Sequence, residues 1–126
     1  MRIPWIFAGL ALVATGIVAP SVVAKPRAAP AGTIGMRHEA FATETVTIPR
    51  GGTVTFYNSS GWLHVIGAGD KGRFKAESGT PHLGDLGAFN SETGDIFVSG
   101  PWNTPGTYHI TCQLHPEMNL TVIVTG

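Results

Sequence analysis

Only one cysteine, Cys112, occurs in the 126 residues, so no intramolecular disulfide can staple the chain. Charge is sparse as well: 13% of residues are charged, and 8 basic side chains balance 8 acidic ones. With no Lys/Arg cluster, the concentrated basic face that nucleic-acid phosphates require is missing, and nucleic-acid binding is excluded. Amphipathic helical periodicity is lacking too, as are internal repeats of fixed period and any Ser/His/Asp or paired-carboxylate arrangement suited to hydrolysis. What is plentiful is punctuation, with 17 Gly and 9 Pro separating short apolar segments. The length allows one ordinary domain.

The N-terminus reads separately from the rest. Arg2 is followed by 22 uncharged residues, Ile3 to Ala24, which end in Val22-Val23-Ala24 before Lys25. A basic start, an apolar stretch and a small-residue exit are the marks of a secretory signal, with cleavage expected after Ala24. The competing reading is an uncleaved membrane anchor, since about 20 apolar residues span a bilayer; Pro4, Gly9, Gly16 and Pro20 interrupt the run and favour cleavage. Removal of residues 1–24 leaves 102 residues, with 7 basic against 8 acidic. Residues 25–32 contain two prolines and no large apolar side chain, which predicts a flexible leader. The domain is expected over 33–126, in an exported protein that is periplasmic, extracellular or held at the cell surface.

From Thr33 onward the apolar residues alternate with period 2. Val46 and Ile48 alternate with Thr45 and Thr47; after Pro49-Arg50-Gly51-Gly52, Val54 and Phe56 alternate with Thr53, Thr55 and Tyr57. This pattern predicts a hairpin with one buried face. Further strands are expected near Ile34 to His38, Leu63 to Ile66, Ile96 to Ser99, Thr107 to Cys112 and Leu120 to Thr125, with Gly67 to Gly94 as a long irregular stretch. Seven to eight short strands joined by Gly/Pro turns predict an all-β, antiparallel Greek-key sandwich.

The residues that carry chemistry lie between the last two strands, in Cys112-Gln-Leu-His115-Pro-Glu-Met118. A thiol, an imidazole and a thioether within seven residues can converge on one point if the segment forms a tight loop. Such a soft donor set suits copper in a trigonal His₂Cys site with a long axial Met, and it needs one more histidine. His64 is the best candidate, since it opens a strand after the Asn58-Ser59-Ser60-Gly61 turn.

With these residues in place the chain resembles the cupredoxin family, in particular the plastocyanin, amicyanin and pseudoazurin group. The resemblance rests on Gly-Gly-Thr-Val-Thr-Phe-Tyr-Asn over 51–58, His64, Pro-Gly-Thr-Tyr over 105–108, and Cys112-x2-His115-x2-Met118 leading into Leu-Thr-Val-Ile-Val. It implies His64, Cys112 and His115 as equatorial ligands of one copper ion and Met118 as the axial one, and it implies one-electron transfer. The short C-x2-H-x2-M spacing is similar to that of amicyanins. Two departures stand out. Pro116 directly follows His115 and has no N–H to offer the Cys112 sulfur. Thr111 stands where photosynthetic plastocyanins carry an exposed aromatic, and there is no acidic run, which argues against a photosynthetic partner.

The remaining histidines have plainer readings. His109 alternates out of phase with Tyr108, Ile110 and Cys112 and is expected to face solvent; His38 is assigned to the first strand; His82 could cap the site or bind a second ion. Trp62 and Trp102 are expected in core or near-site packing, and the charges of 70–77 in a solvated loop. Three functions compete. An exported monomeric electron carrier would dock redox partners transiently through an apolar patch at His115 with Leu63, Leu114 and Pro116, and would touch a membrane only through an uncleaved N-terminus. A copper sequestration or delivery protein would use the same ligands. A copper enzyme would need further metal centres for which 102 residues leave no room, so no enzymatic activity is expected.

Overall fold

The computed structural model describes residues 15–16, 32–84 and 87–126. The signal segment over 1–24, apart from Thr15 and Gly16, and residues 25–31 of the leader lie outside the described residues, while Gly32, expected in the leader, opens the first strand.

Nine strands follow one another among the described residues: β1 (Gly32–Met36), β2 (Thr45–Pro49), β3 (Val54–Asn58), β4 (His64–Asp70), β5 (Arg73–Phe74), β6 (Ala88–Ser91), β7 (Ile96–Val98), β8 (Gly106–Cys112) and β9 (Asn119–Thr125). They build a three-stranded sheet in the order β1-β3-β7 and a six-stranded sheet in the order β2-β9-β8-β4-β5, with β6 paired to β4. One core lies between the sheets, with Ile34, Val54 and Phe56 from the first meeting Ile48, Ile66, Ile110, Leu120 and Val122 from the second. The period-2 patterns sort these faces. In β9, Leu120, Val122 and Val124 are buried while Thr121 and Ile123 between them are half-buried, and in β8 Tyr108, Ile110 and Cys112 point inward while His109 is exposed.

The all-β class stands, with three refinements. The strands number nine, because the stretch expected to be irregular supplies the far half of β4 together with β5 and β6. The sheets are mixed rather than wholly antiparallel, since β1 runs parallel to β3 and β2 parallel to β9. The expected hairpin over 45–57 does not form: β2 joins β9 in one sheet and β3 joins β1 and β7 in the other. The turn at 49–53 therefore crosses between layers. Gly51, at φ 81°, donates its N–H to the Trp102 carbonyl, and Trp102 N–H returns to the Gly52 carbonyl, so the crossing is pinned to the connection from β7 to β8, which passes between the same two sheets. Alternation sets which face of a strand is buried but not which neighbour it pairs with, and two successive crossings restore the chain direction and make β1 and β3 parallel.

Two local devices position the far end of the second sheet. Tyr108 donates its hydroxyl to the Thr104 carbonyl at 2.6 Å, folding Pro105-Gly106 back over the start of β8 in the manner of a tyrosine corner. Lys71 (φ 50°) and Gly72 (φ 75°) form the two-residue connection from β4 to β5, both left-handed as a type I′ hairpin turn requires. Ile66, fully buried and in register opposite Cys112, tests how far core packing supports the site. Ile66→Ala is expected to cost about 2–5 kcal/mol, read as a lower denaturant midpoint with an unchanged slope.

Candidate metal centre

His64 is the first residue of β4 and Cys112 the last of β8, and antiparallel pairing of the two strands, Ile66 opposite Cys112, carries side chains 48 residues apart to one end of the sheet. His115 arrives on the loop that follows Cys112. That loop is closed by its own backbone: Met118 N–H donates to the His115 carbonyl at 2.9 Å, and Cys112 N–H donates to the Met118 carbonyl at 3.1 Å. Asn119 donates its side-chain amide to the Pro116 carbonyl at 2.9 Å and accepts Lys71 N–H at 2.8 Å. Thr111 Oγ1 donates to the Met118 carbonyl at 3.2 Å and accepts Gly72 N–H at 2.9 Å. The β4–β5 turn is thus a brace for the ligand loop. A side chain at Gly72 would also crowd Pro116, at 3.1 Å. The sequence placed these charges in a solvated loop; the signal for the turn was the Gly at its second position.

The ligand atoms of His64, Cys112 and His115 all lie within 4.8 Å of one another. Cys112 Sγ is 3.8 Å from His64 Nδ1 and 3.5 Å from His115 Nδ1, and the two imidazole planes are inclined at 59° with centroids 5.0 Å apart. An imidazole nitrogen about 2.0 Å and a thiolate sulfur about 2.3 Å from a shared first-row metal, at tetrahedral to trigonal angles, stand about 3.5–3.7 Å apart. The observed separations suit a bridging ion, and one thiolate with two imidazoles is a donor set suited to copper. Met118 is fully buried at the far end of the loop, bound through its backbone as described. His64 and Cys112 are fully buried, whereas His115 is half-buried, so the centre has a closed side and a side facing the surface.

Electrostatics keep the ligands available. Burial, with His115 and His38 adding to it, lowers the pKa of His64 from 6.5 to about 4 against the opposing pull of the Arg37 backbone. The ring is therefore neutral near pH 7, with a lone pair free for a metal.

The rim departs from expectation in one respect. β1 ends at Met36, so His38 lies beyond it, stacked on Trp62 at 3.9 Å with an interplanar angle of 7° and meeting His115 edge-on at 5.2 Å. Alternation along β1 gave no hint of this, because the position depends on where the strand stops. Trp62 is 52% exposed, and Leu63 and Leu114 are exposed beside it in sequence to the ligands, whereas Trp102 is wholly buried. His109 faces solvent as its phase predicted and bonds Glu77 at 3.0 Å. His82 is exposed and outside the ligand cluster.

No protein-family model matches the chain, and no curated protein matches it. Solved structures do. A purple cupredoxin from Nitrosopumilus maritimus superposes with a TM-score of 0.57 at 24% identity, over 75% of this chain and 99% of that one. Amicyanin from Paracoccus versutus gives 0.55 at 25% identity, over 77% and 83%. A reduced Cu(I) form of an amicyanin variant gives 0.54 at 22% identity, over 78% and 85%. The chain has the cupredoxin fold, and His64, Cys112 and His115 cluster as a possible copper site.

Because His64 protonates far more readily unfolded than folded, the metal-free protein should hold its full stability above pH 6.5 and lose up to about 3 kcal/mol of it as pH falls toward 4. Denaturant melts at pH 7.5, 5.5 and 4 check this, and His64→Gln should flatten the slope.

Proposed function

We propose that this cupredoxin-fold chain is an exported blue copper protein that carries single electrons between redox partners. The observation that carries the reading is the convergence of the Cys112 sulfur and the His64 and His115 Nδ1 atoms at the end of a β-sandwich. His64, Cys112 and His115 would hold the ion, with Met118 as a weak fourth donor. Copper supplies a site that alternates between the +1 and +2 states and so takes up and releases one electron. The chain's part is to hold the donors in one arrangement for both states: the Met118 to Cys112 backbone bond closes the loop, Asn119 and Thr111 tie it to the β4–β5 turn, and burial excludes water from His64 and Cys112. A rigid donor set lowers the rearrangement that accompanies each transfer. Partners are proposed to dock briefly at the half-buried His115 side, where Leu63 and Leu114 are 44% and 49% exposed, and near-neutral charge makes this contact weakly dependent on salt. Export follows from the N-terminal segment over 1–24 and suits an unpaired thiol that a bound ion would protect from oxidation.

The purified protein with copper(II) should show an intense visible thiolate-to-copper absorption band that Cys112→Ser abolishes. A colourless wild type with copper bound would refute the reading. Leu114→Lys should slow electron exchange with the physiological partner about tenfold while leaving the band in place, as expected when burying a charge in an apolar contact costs about 1.4 kcal/mol of docking free energy; stopped-flow kinetics measures it.

A further inference from the structure

The two nitrogens of His64 face different surroundings. Nδ1 points at Cys112 Sγ, while Nε2 lies 3.0 Å from the hydroxyl of Ser60, a half-buried residue of the turn between β3 and β4. A neutral imidazole carries one proton, and whichever nitrogen holds it cannot bind a metal.

The network around Ser60 decides which one. Asn58, fully buried, donates its side-chain amide to the carbonyls of Trp62 and Ser91, both at 2.8 Å, which leaves Oδ1 as its acceptor. A flipped amide would set Oδ1 against two carbonyl oxygens, so the orientation is forced. Oδ1 accepts Ser60 N–H at 2.9 Å and lies 2.7 Å from Ser60 Oγ. With no proton of its own to give, Oδ1 claims the single hydroxyl proton of Ser60. The other hydroxyl contacts agree: Trp62 N–H comes to Oγ at 3.2 Å as a donor, and the only other acceptor in reach among the described residues, the Trp62 carbonyl at 3.4 Å, also draws the hydroxyl proton away from His64. Ser60 Oγ is left with a lone pair facing Nε2, and the ring must supply the proton.

We infer that Ser60 is a positioning residue that holds His64 as the Nε2–H tautomer, so that Nδ1 presents a lone pair beside Cys112 before any metal arrives. The chain of bonds runs from the Ser91 carbonyl, on the strand residue in register with His64, through Asn58 and Ser60 to the ring, and locks its rotation as well as its proton. Nothing in the sequence marked Ser60, which reads as one more turn residue. The inference rests on the metal-binding reading for its purpose but not for its test.

The rival acceptor is the Arg37 backbone, which also hydrogen-bonds the ring. Long-range proton–nitrogen correlation spectra of the ¹⁵N-labelled, metal-free full chain at pH 7.5 report the His64 tautomer directly. Wild type is expected as Nε2–H; a predominant Nδ1–H ring would overturn the inference without recourse to any variant. Ser60→Ala should bring in the Nδ1–H form and weaken copper affinity about 10–100-fold, and Ser60→Thr, which keeps the hydroxyl, should restore both. A Ser60→Ala protein that folds, by circular dichroism, and keeps the wild-type tautomer would assign the ring's orientation to Arg37 and refute the role of Ser60. Because the tautomer is read without metal, a wild type that failed to bind copper would defeat the proposed function while leaving this result standing.

Discussion

The pairing of β4 with β8 is the constraint on which the centre depends. His64 and Cys112 are separated by 48 residues, and only the register of Ile66 opposite Cys112 sets their rings and sulfur within bonding reach of one ion. The register is held in turn by burial, since slipping β4 by one residue would turn Ile66 out of the core and slipping β8 would turn out Ile110 and Cys112. Hydrophobic burial, which has no directional preference, is thus converted by a β-ladder into ångström-scale placement of donor atoms.

Beyond the ladder, the centre is supported by hydrogen bonds to the backbone rather than by charge. The Glu77–His109 side-chain hydrogen bond lies away from the centre, at an exposed strand position. The ligand loop is closed on itself, braced by the type I′ turn at Lys71-Gly72, and tied through Asn119 and Thr111. Bonds of this sort lose little to ionic screening and would hold their geometry if the charge of a bound metal changed by one, which suits the proposed one-electron role.

Much of the protein was legible in the sequence. Period-2 alternation located β2, β3, β8 and β9 within a residue or two, because burial on one face must recur every second position. The spacing of Cys112, His115 and Met118, with one upstream histidine at a strand start, marked a copper-type donor set because a thiolate, two imidazoles and a thioether are together the soft ligands that suit copper. The hairpin expected over 45–57 was wrong because alternation carries no information about pairing partners, and β4 to β6 were shortened or missed because Gly67 and Gly69 break the pattern inside a strand. At Gly69 the backbone has φ 149° and the Arg73 carbonyl sits where a side chain would be, so this glycine belongs to close strand approach rather than to a loop.

The candidate donors His64, Cys112 and His115, the all-β class and the lack of an intramolecular disulfide were legible in the sequence alone, since each depends on residue type and short-range spacing. The partners of each strand, the brace behind the ligand loop, the place of His38 against His115 and the link from Ser60 to His64 were decided only by the tertiary structure. Each of those is a distance between residues on different elements, and such distances are set by how two sheets close over a common core, a property that no local run of residues carries.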